Sequence, residues 1–363
     1  TLNANSKNHS HDLTGLTDLR NTTGLSDIKG VDTSDNNKPF KIFVLDGMIS
    51  GTHNKLTENF VGYVNDANHL VLYDRNEDGD VTSDEKVLLE SELPTDIRPR
   101  QYGSQVPSHI AAITTDHGTH VAGIIGSSDD SIGVAPGVEL IGSDGNLAYT
   151  NLFEKLTWCY NNALSHNIIC INISLGNELG NDIGVLNAIR YTIGADGHAI
   201  EQPAGSETGE TFGDLFRKLE TDRKVVIVGT TGNFHLQPSE RDGDASFPGL
   251  ITSIMAGSVF SGPKHPDSTA NYHDTDNKDI IYPGSQRSTT LNAMILAPGY
   301  SIEAPVHDTI ASESNPVIRD DLMSKTGTSM AAPYISGCVA LIQEMAVTLS
   351  ENGGYNGLME VSD

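Results

Sequence analysis

The chain has 363 residues and a formal net charge of −26, from 48 acidic against 22 basic residues. That balance argues against a nucleic-acid backbone, whose recognition needs clustered Lys and Arg, and against an anionic membrane surface. Hydrophobic residues at 37% suit a soluble globular chain with a sizeable core, so most of the acidity reads as solubilising surface and part of it as a reserve for cation sites.

In chain order, residues 1–38 are polar and read as a loose extension with one short helix near Leu16 to Arg20. KIFVLD (41–46) follows as a short apolar run rich in β-branched and aromatic residues, suited to a buried strand. IICINISL (168–175), KVVIVGTT (224–231), LITSIMAG (250–257) and AMILAPG (293–299) repeat the type. Near-continuous apolar strands imply burial on both faces, the habit of a parallel sheet. Helices are predicted at 119–126, 151–166, 183–194, 212–220 and 331–349. Strands alternating with helices indicate an α/β fold, a mostly parallel central sheet with helices on both faces. The Gly/Ser/Asp-rich stretches 195–211 and 261–290 read as surface loops, because the alternation resumes after each. No run approaches the 18 apolar residues of a membrane span. Three cysteines cannot all pair within one chain; Cys170 and Cys338 sit in apolar runs and read as core residues, and no CxxC spacing suggests a metal site.

Residues 74–85, DRNEDGDVTSDE, fit the calcium-loop pattern at every specified position. The pattern predicts side-chain oxygens from Asp74, Asn76 and Asp78, a carbonyl from Asp80, Thr82 directly or through water, and a bidentate Glu85. The preceding HLVLY alternates like a strand, which argues against a helix–loop–helix sensor and for a stabilising cation site. A second acidic run, HDTDNKD (273–279), has no coordination pattern behind it. The two histidines of HGTH have a spacing that could serve zinc, a poor fit once one of them is assigned to catalysis.

The chemistry concentrates in three places. In TGTSMAAPYISG (326–337), Ser329 follows a small residue and leads into a long apolar helix, whose free N–H groups favour developing negative charge. Pro333 falls early in that helix, where it is tolerated. In DHGTHVAGIIG (116–126), His117 opens another apolar helix. Asp46 ends the buried strand KIFVLD, at the sheet edge where ligand groups gather. Each alone has an ordinary reading as a helix cap or turn residue. Together, in the order Asp, His, Ser, they resemble the subtilisin-like serine proteases, the subtilase family, over about residues 39 to 349.

That resemblance implies a subtilisin-like three-layer fold, a catalytic domain over 39–363 with an insertion at about 63–105 that holds the calcium loop, and residues 1–38 as an N-terminal extension. It implies Ser329 as nucleophile, His117 as general base, Asp46 as the group orienting His117, and a structural role for His120. VVIVGTTGN resembles the strand ending in the oxyanion-hole asparagine, here Asn233. INISLG resembles the strand lining the substrate cleft, here Ser174, Leu175 and Gly176. The implied protein is a secreted, monomeric, calcium-stabilised endopeptidase acting on protein or peptide, made with an inhibitory propeptide. Capture of the acyl-enzyme by an amine, giving a peptide ligase or macrocyclase, is the alternative; a calcium-dependent binding module on an inactive scaffold is a further one. The chain departs from the usual pattern at Gly47-Met48, where a hydroxyl residue and a glycine commonly follow the aspartate, and in an expanded stretch at 195–222.

Overall fold

The computed structural model describes residues 9–22, 27–51, 53–65, 68, 70–72, 115–145, 147–175, 189–233, 254–260, 281–286, 294–306 and 322–351. Six helices are described: α1 (His9–Thr14), α2 (Leu16–Asn21), α3 (Thr115–Gly126), α4 (Tyr149–Asn162), α5 (Phe212–Arg223) and α6 (Thr328–Glu351). The strands are β1 (Val31–Asp32), β2 (Lys38–Pro39), β3 (Lys41–Val44), β4 (Phe60–Val64), β5 (Leu70–Leu72), β6 (Glu139–Ser143) and β7 (Ile168–Ile173). They continue with β8 (Tyr191–Ile193), β9 (Ala199–Glu201), β10 (Val226–Thr230), β11 (Ile254–Val259), β12 (Met294–Pro298), β13 (Ile302–Pro305) and β14 (Leu322–Lys325).

Eight strands form one sheet in the order β12-β11-β10-β7-β3-β6-β4-β5. Every pairing in it is parallel except β4 with β5, which is antiparallel and closes one edge. Because side chains alternate across a strand, each buried strand feeds two cores. Ile42 and Val44 of β3 join Val121, Ile125, Ala331 and Ile335 of α3 and α6 on one face. Phe43 and Leu45 join Phe153, Leu156, Phe212 and Phe216 of α4 and α5 on the other. The result is the expected three-layer α/β arrangement. The long apolar α6 has the length and composition to cross a bilayer, yet 72% of its most apolar window is buried inside the protein, where it acts as a core helix.

Several expectations are revised. The helix predicted at 183–194 ends in a strand: Tyr191–Ile193 form β8, paired antiparallel with β9, and Tyr191 stacks on Phe153 at 4.7 Å between ring centroids. Burying that aromatic ring against α4 outweighs helix propensity. Residues 195–211 are therefore part hairpin rather than plain loop. β4 and β6 were not among the predicted strands. β6 opens with Glu139, whose carboxylate lies 2.8 Å from the Lys41 ammonium of its neighbour β3, and this buried ion pair masks the strand's hydrophobic pattern. HLVLY contributes β5, as its alternation predicts.

The described part of the polar N-terminal segment, residues 9–22 and 27–38, is packed rather than loose. Glu344 on α6, buried, accepts the three consecutive amides of Lys29, Gly30 and Val31 at 2.7, 2.5 and 3.1 Å. Arg20 donates to the carbonyls of Asp130, Gly133 and Val134, and Thr14 hydrogen-bonds the Tyr334 hydroxyl. Gly30 has φ +102°, and a Cβ there would lie 2.5 Å from Val138, so only glycine turns the chain at this contact. All three cysteines are free, and burial pushes Cys170 and Cys338 up to about 12, which leaves them as inert thiols.

Candidate active site

Asp46 follows the C-terminal end of β3 and is almost wholly buried. Its Oδ1 accepts from the Gly47 amide at 2.6 Å and lies 2.8 Å from His117 Nδ1. The Ser143 hydroxyl holds the Asp46 carbonyl from β6, and the Leu45 amide bonds the Asn172 carbonyl of β7, so the strand end is fixed from both neighbours. Among the described residues, Asp46 Oδ2 is buried without a hydrogen-bond partner. A hydroxyl at position 47 would be its natural donor, so the departure at Gly47 has a structural counterpart. Gly118 packs on the Gly47 backbone so closely that a Cβ would lie 2.1 Å from its carbonyl oxygen. This contact brings the start of α3, and with it His117, onto the aspartate.

The Asp46 carboxylate raises the His117 pKa above its ordinary 6.5, against burial and against the nearby Lys325 ammonium, which both lower it. One turn further along α3, His120 has the opposite environment. It is fully buried, and its Nε2 donates to the carbonyls of Ile302 at 3.0 Å and Met323 at 2.9 Å. Desolvation drives its pKa down to about 3, so it stays neutral and ties α3 to the β13–β14 hairpin. The structural role predicted for His120 is this bond.

Ser329 is the second residue of α6. Its hydroxyl donates to the Ser174 carbonyl at 3.1 Å, while the Ser174 hydroxyl donates back to the Ser329 carbonyl at 3.1 Å. The second bond corrects the reading of Pro333. That proline is the sixth helical residue, past the first turn, and lacks the N–H that would bond the carbonyl four residues earlier. The orphaned carbonyl belongs to Ser329, and Ser174 supplies the missing donor. A helix defect thereby ties the serine to the end of β7.

Asn233 follows β10. Its Oδ1 accepts from the Thr328 amide at 2.8 Å and the Thr328 hydroxyl at 3.1 Å, which fixes the amide orientation because a backbone N–H can only donate. The side-chain NH2 of Asn233 donates to none of the described residues. Gly327, at φ +155°, passes so near that a Cβ would lie 3.2 Å from the Asn233 amide group. Of the three predicted cleft residues, Ser174 and Leu175 stand at the end of β7. Gly176 lies outside the described residues, as do Asp74, Asn76, Asp78, Asp80, Thr82 and Glu85 of the calcium loop, the 273–279 run, and residues 183–188 of the predicted helix. Among the described residues, no group of three or more His, Cys, Asp or Glu converges on a metal position.

Sequence reasoning missed two supporting residues. Thr328 aligns Asn233, and its hydroxyl also accepts from the Gly232 amide at 3.2 Å. Asn172, wholly buried, donates to the Ser174 hydroxyl at 2.9 Å and accepts from Ser336 of α6 at 3.0 Å. Its signal was present: a polar residue at an inward position of the apolar run IICINI must be hydrogen-bonded.

A model of the subtilase family, peptidase S8, matches residues 37–353. The chain belongs to the subtilase family. Among curated subtilases, Subtilisin BL of Lederbergia lenta is 25% identical over 236 residues, covering 63% of this chain and 63% of that protein. Subtilisin DY of Bacillus licheniformis is 27% identical over 250 residues, covering 67% of this chain and 68% of its own. The alkaline protease of Shouchella clausii is matched over 44% of its length, so this subtilase spans less than two thirds of several relatives it resembles. Among solved structures, fervidolysin from Fervidobacterium pennivorans superposes with a TM-score of 0.55 at 18% identity, covering 97% of this chain and 44% of that one. The patellamide maturation protease PatG gives 0.53 at 17% identity, covering 93% and 83%. At such identity these two establish a shared fold.

Proposed function

We propose that this subtilase is a serine endopeptidase whose nucleophile is Ser329. The observation that carries the reading is the 2.8 Å contact of His117 Nδ1 with the buried Asp46 carboxylate, at the same sheet edge as the helix-opening Ser329. With Nδ1–H held by Asp46, Nε2 carries the lone pair and can accept the Ser329 proton. The freed Oγ adds to the scissile carbonyl carbon, and the carbonyl π pair becomes an oxyanion. The uncommitted NH2 of Asn233 and the Ser329 backbone N–H are the donors for that charge. Collapse of the adduct expels the amine, which takes the proton from His117 Nε2–H, and leaves an acyl-enzyme on Ser329. Water, deprotonated by His117, repeats the sequence and releases the acid. Ser174, Leu175 and Gly176 pair with the extended substrate by strand addition.

The substrate is a protein or peptide met outside the cell, and the enzyme acts as a monomer after release from an inhibitory propeptide. Calcium belongs to this reading through the 74–85 pattern, as a stabiliser of the segment between Asp46 and His117. Chelation is expected to lower the melting temperature, since loss of a ligand held at a hundredfold over Kd removes about 2.7 kcal/mol; an unchanged melting temperature contradicts the cation site. Turnover of an internally quenched peptide library tests the peptidase. The wild type should release hydrolysed fragments and Ser329→Ala none, whereas equal cleavage by both removes Ser329 from the reaction. Adding an amine nucleophile separates hydrolysis from ligation by product mass.

A further inference from the structure

Asn172 stands on β7 between the two strands that lead to Asp46 and Asn233. Across the ladder it faces Val44 of β3, two residues before Asp46, and Val228 of β10, five residues before Asn233. Its carbonyl accepts the Leu45 amide at 2.9 Å. Its side chain lies on the same face of the strand as Cys170 and Ser174, wholly buried against α6, so no substrate touches it.

The direction of each proton around this side chain follows from one acceptor. A carbonyl only accepts, so the Ser174 hydroxyl spends its single proton on the Ser329 carbonyl at 3.1 Å. Its 2.9 Å contact with Asn172 is then an acceptance, and Asn172 presents its NH2 there. The amide oxygen is left facing Ser336 of α6, which donates to it at 3.0 Å and shares that proton with the Ala332 carbonyl. The relay runs Ser336, Asn172, Ser174, Ser329. It ends on the carbonyl that Pro333 leaves without a helical donor.

Within this relay Asn172 decides whether the repair holds. With its amide turned over, its oxygen would compete with the Ser329 carbonyl for the Ser174 proton. Ser329 is bonded to residue 174 through both its carbonyl and its Oγ, so the set of the first turn of α6 depends on this anchorage. Resting on the peptidase reading above, we propose that Asn172 is a positioning residue for acylation: through the Ser174 hydroxyl it holds the Ser329 Oγ and backbone N–H in register with the strand that carries Asp46. A displacement of about 1 Å at a reacting group costs about 10²-fold in rate, which sets the scale of the effect.

A double-mutant cycle with Pro333 separates positioning from packing. Asn172→Ala should lower kcat on a quenched peptide by about 10- to 100-fold with KM changed less than about threefold. Pro333→Ala returns a helical N–H to the Ser329 carbonyl, so in that background the same substitution should cost less than about threefold. Ser174→Ala, a smaller change that ends the relay at its last donor, should show the same loss and the same rescue, and it decides the matter if Asn172→Ala does not fold. A kcat within twofold of wild type in the single variants, or equal losses in both backgrounds, overturns the proposal while leaving the peptidase reading intact. A wild type that neither cleaves peptides nor labels at Ser329 with a fluorophosphonate overturns both.

Discussion

The two ends of α6 use similar polar groups in opposite ways. Near its C-terminal end, Glu344 is saturated by three amides of the N-terminal segment. At its N-terminal end, the groups around Ser329 keep spare capacity: Asp46 Oδ2 is buried without a partner and the Asn233 NH2 donates to none of the described residues. Saturated groups hold the fold together, whereas the exposed Asn233 amide keeps a donor unspent. The same contrast separates two histidines one turn apart on α3. His117 is partly exposed and raised in pKa beside Asp46, while His120 is buried, neutral and tied through Nε2 to the β13–β14 hairpin.

The contrast is broken most severely at the end proposed to be catalytic. Asn233→Ala removes the donor proposed for the developing oxyanion, and in subtilisin itself the loss of such a donor lowers kcat by about 10²–10³-fold. A similar fall is expected here with KM little changed; a variant within twofold of wild type would mean that Asn233 only anchors Thr328.

Glu344→Ala should do the reverse. It leaves three amides without their acceptor, two of them buried, and is expected to cost about 3 kcal/mol in denaturant unfolding. The kcat/KM of the folded fraction should stay within twofold. Lost turnover at unchanged stability would show that the arm reaches the chemistry directly.

The histidines give the gentlest test. For His120 the folded pKa is about 3 against 6.5 unfolded, so the unfolded chain binds a proton that the native state refuses between those values. Stability then falls with decreasing pH through that window, by up to about 1.4 kcal/mol per pH unit. His166, lowered to about 4 by burial and stacked on Trp158, adds the same slope between 6.5 and 4. His120→Gln should flatten its share in urea titrations across pH 4 to 6. His117 has the opposite sign: its raised pKa contributes stability that is complete below 6.5 and is lost as pH rises through the folded value. Because the base must be neutral, the acid limb of kcat/KM should lie above 6.5.

Legibility in the sequence followed the chemistry. Asp46, His117 and Ser329 were readable because each stands at a strand end or helix start with a glycine one or two residues away, and the close contact of Gly118 with Gly47 shows why two of those glycines are needed. The parallel sheet was readable from uninterrupted apolar strands. β6 was not, because Glu139 conceals its pattern behind an ion pair with a strand 98 residues away. The N-terminal segment looked loose because its anchors are polar: backbone amides on Glu344 and carbonyls on Arg20 leave no hydrophobic period to detect. Pro333 was misread for a related reason, since the group that compensates it, Ser174, lies 159 residues away in sequence.

The most direct measurement is labelling with a fluorophosphonate, followed by intact mass and peptide mapping. One adduct per chain is predicted, on Ser329, formed quickly at pH 8 and slowly at pH 5, and absent from Asp46→Asn under the same exposure. No adduct on Ser329, or one formed equally fast in Asp46→Asn, would contradict the assignment of this sheet edge as the catalytic centre.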